Sequence, residues 1–555
     1  MIHTSSQSSD LKNSLITSSP ATQPEPHRRF QITEAGWLLL ITMTVYAASC
    51  VYLVYGLHYY AGDAQSRVAN AYYVLFSRMP HLGAIGFVWN PLPSMLELPI
   101  VALHPWFPAV VARGLAGSVV SIVLGIVAVY HLHRIIRGMS INKYLRIVLT
   151  LCFALNPLIV LYGANGMSDI MWVACLLGTY SGVLDYLKTN SLRRLVMGGL
   201  WLAAGLGMRY EAVPFGAFVI LALILAQWGK VSIAKMRGSA IILGAPIVFG
   251  GGVWIYFNWT IMKDPLYFLN SSYGNLAQTA TGAYMTPAMA HAYHHIIGTL
   301  LYVGRFGLFY WPLYFAFFIA LWYCFGKRRD ARAMVLVAGT LGAELLEIVF
   351  AYQGHLGEWD RYFLEFIPNG ILLTALATEK LLGTRIRSKV ISAIVGIGLT
   401  AIFISGTVGT VHAVQNPVLG SPDGSVLDHA FHRQSMFYNN GDPYFGTTPL
   451  VRYINTHPKL TILADTFTDW SIIVRAHHLN QFIIPSDYNF SSVLHNPRGR
   501  VDAILVPQPS GVAQLNAINR AWPGLWQGRV PWLHLIKSFP GVDNWKLYQV
   551  LPTAP

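Results

Sequence analysis

Charged residues are scarce in this 555-residue chain: Asp, Glu, Lys and Arg together make up 11% of it, whereas hydrophobic residues make up 54%. A soluble globular domain carries about 25% charged residues, so the composition excludes a single soluble globule. The deficit is spread over repeated apolar runs of about 20 residues, the length that a helix needs to cross the hydrocarbon core of a bilayer. The sequence therefore predicts an α-helical polytopic membrane protein.

Cysteine is also rare. The four cysteines are Cys50, Cys152, Cys175 and Cys324, and all of them fall inside apolar runs. The hydrophilic C-terminal part has none, so no disulfide framework or Cys-ligated metal site is expected there. The formal charge of +14 could suggest nucleic-acid binding. However, the basic residues stand mostly in short loops between apolar runs, which is the orientation signal of membrane proteins, and no nucleic-acid partner is expected.

About eleven apolar stretches are predicted to span the membrane. They cover residues 36–57, 108–131, 147–163, 169–187, 195–208, 212–228, 239–262, 301–325, 333–352, 363–379 and 390–413. Clusters of Lys and Arg occur in every second connection, which places those connections and the N-terminus inside. The chain is thereby divided into a disordered cytoplasmic arm (1–30), a transmembrane domain (31–413) and an extracytoplasmic domain (414–555).

Shorter elements are predicted outside the membrane. In the first outer loop, AQSRVANAYYVLFSR and NPLPSMLELPIVAL are too short to span and are expected to lie as amphipathic helices along the membrane surface. The C-terminal region shows four strand-like stretches, at 461–465, 481–487, 502–508 and 545–551, and helix-like stretches around 468–478 and 511–522. This alternation indicates a small α/β domain.

Ionisable residues are concentrated where spans end on the predicted outer side. Charge at membrane depth is costly, so charges that recur at successive outer turns predict one polar cavity at that surface. These residues are Asp63, Arg67, Arg113, Ser168-Asp169, Arg209-Tyr210-Glu211, Arg305 and Glu358-Trp359-Asp360-Arg361-Tyr362.

Some of these residues, and also Glu97 in the first outer loop, have a purely structural explanation. Arg209 and Glu211 could form a local ion pair. Asp360-Arg361 could be a solvated turn, and Glu97 is expected at a solvated edge. Asp63 is harder to explain in this way, because it is the only carboxylate of the first outer loop before Glu97 and follows a span directly.

A carboxylate beside arginines suits sugar transfer from a lipid-phosphate carrier. The acceptor hydroxyl loses a proton as it attacks the anomeric carbon, and one carboxylate can take that proton as general base. The phosphate leaving group is already ionised and needs cationic donors, which Arg supplies as a fork matched to phosphate oxygens. Apolar spans can provide a groove for the lipid tail.

The order of these pieces resembles the GT-C superfamily of integral-membrane glycosyltransferases, particularly the aminoarabinose-transferase and protein O-mannosyltransferase group. Four stretches within about 30–230 carry the resemblance: GDAQSR, VVARGLAGSVVSIVLGIVAVYHLHRIIRG, NPLIVLYGANGMSDIMWVACLLG and GLGMRYEAVPF. The resemblance implies a GT-C fold and a polyprenyl-phosphate-linked sugar donor. The aminoarabinose transferases carry a Glu-Lys pair where this chain has Trp89-Asn90-Pro91, which argues against that particular sugar.

The resemblance also implies roles for individual residues. Asp63 matches the first-loop carboxylate thought to activate the acceptor, and Asp169 matches a second outer-loop acid of the active site. We therefore expect Asp63 to be the general base and Asp169 an orienting or substrate-binding acid. The residues expected to bind substrate are Arg67, Arg209, Glu211, Arg361 and Tyr362. Inversion is expected, because one base opposite one leaving group describes a single displacement.

The expected partners are a polyprenyl-phosphate sugar, a glycan, lipid or protein acceptor, and membrane lipid. The sequence identifies no cofactor with certainty, and a divalent metal is possible; His291, His294 and His295 are expected in a solvated loop. Two other functions stay open. One is a transporter or flippase of a lipid-linked or anionic solute, although the charges cluster at one surface and not at the midplane. The other is a scaffold that displays the external domain. The ending Leu-Pro-Thr-Ala-Pro favours a prokaryotic plasma membrane, since it carries no eukaryotic retention signal.

Overall fold

The structure, a computed structural model, describes residues 33–282, 286–326, 329–357, 359–382, 389–416, 422–433, 447–541 and 544–552. The predicted arm, 1–30, lies outside the described residues. Most of the chain is helical. In the predicted transmembrane part the helices are α1 (Glu34–Val51), α2 (Gly62–Phe76), α3 (Leu92–Val101), α4 (Ala109–Ala112), α5 (Leu115–Arg137), α6 (Lys143–Ala154), α7 (Pro157–Ala164), α8 (Ser168–Thr189), α9 (Leu192–Met208), α10 (Ala212–Gln227), α11 (Ile233–Met262), α12 (Tyr267–Asn270), α13 (Asn275–Ala280), α14 (Pro287–Ala290), α15 (Ile296–Gly304), α16 (Pro312–Phe325), α17 (Ala331–Ala343), α18 (Leu345–Gln353), α19 (Phe366–Leu382) and α20 (Lys389–Gln415).

A helix or a helix pair occupies each of the predicted spans, but the count of eleven is not confirmed. Six helices in the described part are long and apolar enough to cross a membrane: Glu34–Gly56, Leu115–Arg137, Ser168–Thr189, Ile233–Met262, Ala331–Gln353 and Ala393–Gln415. Two bent pairs raise this number to as many as eight. The other predicted spans coincide with α9, α10 and α19, which have 17, 16 and 17 residues and are therefore short for a bilayer.

Proline accounts for both bends. The helices α6 and α7 meet at 55°, and Pro157 opens α7 with the side chain of Asn156 accepting a hydrogen bond from Leu158 N. The segment Ile296–Tyr310 and α16 meet at 106°, and Pro312 opens α16. Proline lacks the N–H that would continue the preceding helix, yet it fits the first turn of a new one.

Glycines let α8 and α9 approach closely. A Cβ on Gly182 would lie 2.6 Å from the Cα of Gly198 and 2.7 Å from the carbonyl oxygen of Arg194. We expect Gly182→Ala to destabilise the protein by about 1–3 kcal/mol, because backbone cannot move aside as a side chain can. Thermal unfolding in detergent would measure this. Gly238→Ala is the control, because its Cβ would meet nothing within 4 Å; equal melting temperatures for both variants would contradict the packing argument.

The C-terminal part forms the predicted small α/β domain. Its strands are β1 (Ile462–Leu463), β2 (Phe482–Ile483), β3 (Ala503–Pro507), β4 (Leu533–Phe539) and β5 (Trp545–Val550), in the order β2-β1-β3-β5-β4. The first three are parallel, and β5 and β4 are antiparallel to their neighbours. Its helices are α21 (Pro422–His432), α22 (Thr447–Thr456), α23 (Thr466–Ile473), α24 (Phe490–His495) and α25 (Ala517–Ala521). The edge strand β4 was not predicted.

The α/β domain shares a hydrophobic core with the first long loop. Val68 and Tyr73 of α2 pack in one cluster with Ile462 and Ile472 of the C-terminal domain. A later loop also contacts the α/β domain: the hydroxyl of Tyr273, between α12 and α13, donates to Asp465 Oδ2 at 3.1 Å. As a result, α2 is held between the helix bundle and the α/β domain, which fixes the position of its N-terminus.

Candidate active site

Asp63 stands in the first turn of α2, where the helix macrodipole favours a carboxylate. Its Oδ2 lies 2.7 Å from Nη2 of Arg361, which belongs to a 3₁₀ turn, Asp360–Phe363, ahead of α19. The Asp63 side chain is 47% exposed, whereas that of Arg361 is 11% exposed. Asp63 is thus an accessible carboxylate fixed by a buried guanidinium.

Arg67 lies one helical turn after Asp63 and is buried. Its Nη1 is 3.5 Å from the carbonyl oxygen of Asp63, and its Nε has no hydrogen-bond partner within the described ranges. Burial raises the pKa of Asp63, but the guanidinium groups of Arg361 and Arg67 lower it by more, so the pKa lies below its ordinary value. Asp63 is therefore a carboxylate at neutral pH.

A second ion cluster surrounds Arg209, in the turn between α9 and α10. Nη1 of Arg209 lies 2.7 Å from Oδ1 of Asp169, and Nε donates to Oε1 of Glu211 at 2.7 Å. The local Arg209–Glu211 pair considered from the sequence is thus present, with Asp169 as a further partner. The turn that precedes α8 and Asp169 needs glycine, because Gly166 has φ +85° and a Cβ there would lie 3.0 Å from the backbone of Gly117.

Aromatic rings join the two clusters. The ring of Tyr362 lies 5.2 Å from the guanidinium carbon of Arg361 and 5.4 Å from that of Arg209. Trp359 adds a ring 4.8 Å from Arg361. Such cation–π contacts hold guanidinium groups in place. The seven site residues predicted from the sequence therefore form one connected group in the structure.

A cavity of about 340 Å³ opens at this group. Six of the seven predicted residues line it: Asp63, Arg67, Arg209, Glu211, Arg361 and Tyr362. Asp169 is 1% exposed and stands behind Arg209. Apolar side chains form much of the remaining wall, among them Val213, Leu346 and Phe350. We refer to this space as the Asp63 cavity; it has a charged end and an apolar wall.

Sequence reasoning missed three buried glutamates beside this cavity. Glu347 lines it, and Glu344 and Glu365 lie close by, all three with at most 3% of the residue exposed. Each has a carboxyl oxygen without a hydrogen-bond partner among the residues described. Glu344 and Glu347 are the only acids in the predicted span 333–352, and two acids inside an apolar run were the signal that could have found them.

One structural expectation is wrong, and one of the alternatives left open by the sequence is not supported. Glu97, expected at a solvated edge, is fully buried in α3, because α3 packs inward against α2 and α5. Burial raises the pKa of Glu97 well above its ordinary value, against the opposing charge of Arg67. Asp360 is also fully buried, so the Asp360-Arg361 turn is not a solvated one.

Two other predicted members of the polar cavity stand apart from it. Nη1 of Arg113 donates to the hydroxyl of Tyr60 at 3.2 Å. Arg305 stacks on Tyr302, with 4.1 Å between the guanidinium carbon and the ring centre. Neither arginine lines the Asp63 cavity.

The acids Asp63, Asp169 and Glu211 of this site are engaged by arginines. In the described part of the chain there is no group of three or more His, Cys, Asp and Glu side chains arranged to hold a metal ion. The carboxylates of Asp169 and Glu211 already share the guanidinium of Arg209.

Comparison with known proteins gives a family match and a fold match. The family model for dolichyl-phosphate-mannose-protein mannosyltransferase matches residues 108–254. ArnT from Cupriavidus metallidurans, in a crystal structure bound to undecaprenyl phosphate, aligns with a TM-score of 0.54 and 10% identity, over 94% of this chain and 100% of that one. ArnT in the apo state aligns with a TM-score of 0.52 and 10% identity, over 92% and 97%. No curated protein matches the sequence.

These matches bear on different parts of the molecule. The family match includes Asp169, Arg209 and Glu211, whereas Asp63 and Arg361 lie outside it. The fold match covers nearly all of the chain. Together they confirm the resemblance to the GT-C superfamily of integral-membrane glycosyltransferases that was predicted from the sequence.

Proposed function

We propose that the protein transfers a sugar from a polyprenyl-phosphate-linked donor to an acceptor hydroxyl, on the outer face of the membrane and with inversion. The observation that carries this is the position of Asp63, an accessible carboxylate held by Arg361 beside Arg67 at the charged end of a cavity with an apolar wall. The reaction needs a base, cations for a phosphate and space for a lipid. One cavity offers all three.

Arg361 and Arg67 are the arginines best suited to the donor phosphate. Each lines the cavity: Nη2 of Arg361 lies on the carboxylate of Asp63, which phosphate oxygens can replace, and Nη1 of Arg67 lies 3.5 Å from the carbonyl oxygen of Asp63. Arg209 is already bonded to Asp169 and Glu211, so it supports the wall and the ring of Tyr362. The undecaprenyl phosphate bound to ArnT, whose fold is similar, supports a carrier of this class.

Donor binding would change the basicity of Asp63. While Arg361 is paired with Asp63, the pKa of this carboxyl is low and the group is a weak base. A phosphate that takes over Arg361 and Arg67 removes that stabilisation, which raises the pKa. Asp63 then accepts the proton of the attacking hydroxyl while the phosphate leaves from the opposite face of the sugar. Asp169 acts as the orienting acid through Arg209.

The lipid tail has apolar surface to follow. Val213 and Pro214 of α10 and Leu346 and Phe350 of α18 line the Asp63 cavity. A second apolar cavity of about 280 Å³ lies between α3, α9 and α11, and Asn90 lines both cavities. Apolar space on two sides of the charged end supports lipid-linked substrates.

The second candidate function is a transporter or flippase of a lipid-linked solute. Glu344 and Glu347 favour it, because buried acids within a membrane span often mark a solute or ion path. A transporter would release its solute chemically unchanged.

The test is transfer by the purified protein in nanodiscs, with a panel of radiolabelled polyprenyl-phosphate sugars. We expect transfer to an acceptor alcohol, or slow donor hydrolysis, and a product of inverted anomeric configuration by NMR. Retained configuration would contradict the single displacement. If no donor is bound or consumed across the panel while solute flux is measured in liposomes, the transporter is favoured instead.

A further inference from the structure

Glu347 is a buried carboxyl group to which the scheme above gives no task. It lies in α18, 2% of the residue is exposed, and it lines the Asp63 cavity. Its Oε2 has no hydrogen-bond partner within the described ranges. A buried carboxyl oxygen without a partner lowers stability, so a ligand that supplies the partner would account for its presence.

The described residues around Glu347 supply no hydrogen bond to its Oε2. Its neighbours along the cavity face of α18 are Leu346 and Phe350, which offer no hydrogen bonds. The guanidinium of Arg209 acts on Glu347, but it is bonded to Asp169 and Glu211. The other ionisable groups that act on Glu347 are Glu211, Glu344 and Glu365, which are all acids. The partner must therefore come from the cavity and must carry hydrogen-bond donors.

We propose that Glu347 binds a hydroxyl group of the sugar being transferred and so contributes to the choice of sugar. This rests on the proposed function. The sugar is joined directly to the phosphate, so it occupies the same cavity as Arg361 and Arg67. A polyprenyl chain cannot hydrogen-bond to a carboxyl group, and the phosphate finds its cations at Arg361 and Arg67, whereas the guanidinium of Arg209 is already bonded to Asp169 and Glu211. Of the parts of such a donor, the hydroxyl-bearing ring alone fits the chemistry at Glu347.

Glu347→Leu separates sugar binding from carrier binding. The measured quantity is affinity in nanodiscs for undecaprenyl phosphate alone and for undecaprenyl phosphate carrying the sugar that the wild type binds most tightly. We expect the variant to lose about tenfold or more for the sugar-bearing ligand, as expected for a lost hydrogen bond to a carboxyl group, and to bind the bare phosphate within about twofold of wild type. Glu347→Gln, which keeps hydrogen-bonding groups, should recover most of that loss.

Glu344→Leu is the matched control, since Glu344 is equally buried in the same span but does not line the cavity. It should leave both affinities unchanged. The melting temperature of Glu347→Leu should be equal to or higher than that of wild type, because an unpaired carboxyl is removed. Unchanged affinity for the sugar-bearing ligand, or an equal loss for both ligands, overturns the role of Glu347 alone. If wild type binds neither ligand, the proposed function itself fails, and the inference with it.

Discussion

Replacement of Asp63 by asparagine is expected to lower the rate of sugar transfer by about 10²- to 10⁴-fold, the usual contribution of a general base. Asparagine keeps the shape of the side chain but cannot accept the acceptor proton. Donor binding should persist or tighten, because Arg361 loses a carboxylate that competes with phosphate. Single-turnover transfer and the affinity for undecaprenyl phosphate measure the two effects separately.

Asp264→Asn is the control for this variant. Asp264 is half-buried and does not line the Asp63 cavity, and its hydrogen bonds are to Leu266 N and Asn270, so transfer should continue at the wild-type rate. Full activity of Asp63→Asn would show that the base lies elsewhere, with Asp169 as the next residue to substitute. Weaker binding of undecaprenyl phosphate by Asp63→Asn would contradict the exchange of Asp63 for phosphate on Arg361.

The pH dependence provides an independent check on this exchange. In the free protein the pKa of Asp63 lies below its ordinary value of 3.8, so kcat/KM should show no titration of Asp63 at pH 5 and above. In the donor complex the arginines are engaged by phosphate, and the acid limb of kcat should move to higher pH. The two profiles should therefore separate on the acid side, and coincident profiles would argue that Arg361 stays on Asp63 during turnover.

The composition of the site was predictable because charge is costly in a membrane. Asp63, Arg209 and Arg361 are distant in sequence, yet each follows or precedes an apolar run on the same predicted side. That placement confines them to one end of the helix bundle, and the structure joins them through Tyr362. Beyond the local Arg209–Glu211 pair, the sequence could not indicate which acid pairs with which arginine, because that depends on how α8, α9 and α19 pack.

The errors come from features that average hydropathy hides. Glu344 and Glu347 lie in a span of mean hydropathy 1.9, so two acids do not prevent its assignment as apolar. Glu97 is buried by tertiary packing, which its local sequence does not reveal. Strand β4 is an edge strand with most residues exposed, and it lacks the continuous burial of β3 and the largely buried pattern of β5.

Removal of the guanidinium of Arg209 is expected to destabilise the protein by about 3–5 kcal/mol. Arg209→Met keeps the length of the side chain but leaves the carboxylates of Asp169 and Glu211, whose side chains are 1% and 6% exposed, without their shared cation. An uncompensated buried charge costs far more than the loss of an exposed pair. Denaturant or thermal unfolding in detergent measures this cost. Arg67→Met should destabilise the protein by less, because in the described structure no fully buried carboxylate is ion-paired with Arg67.

A triple variant decides whether the cost comes from stranded charge or from lost packing. In Arg209→Met combined with Asp169→Asn and Glu211→Gln, all three charges are removed, and much of the lost stability should return. If the triple variant is as unstable as Arg209→Met, the packing of Arg209 against Tyr362 is the larger contribution. Return of stability without return of transfer would show that the ion cluster shapes the Asp63 cavity for substrate, because the neutral set keeps the fold but no longer holds a cation beside Tyr362.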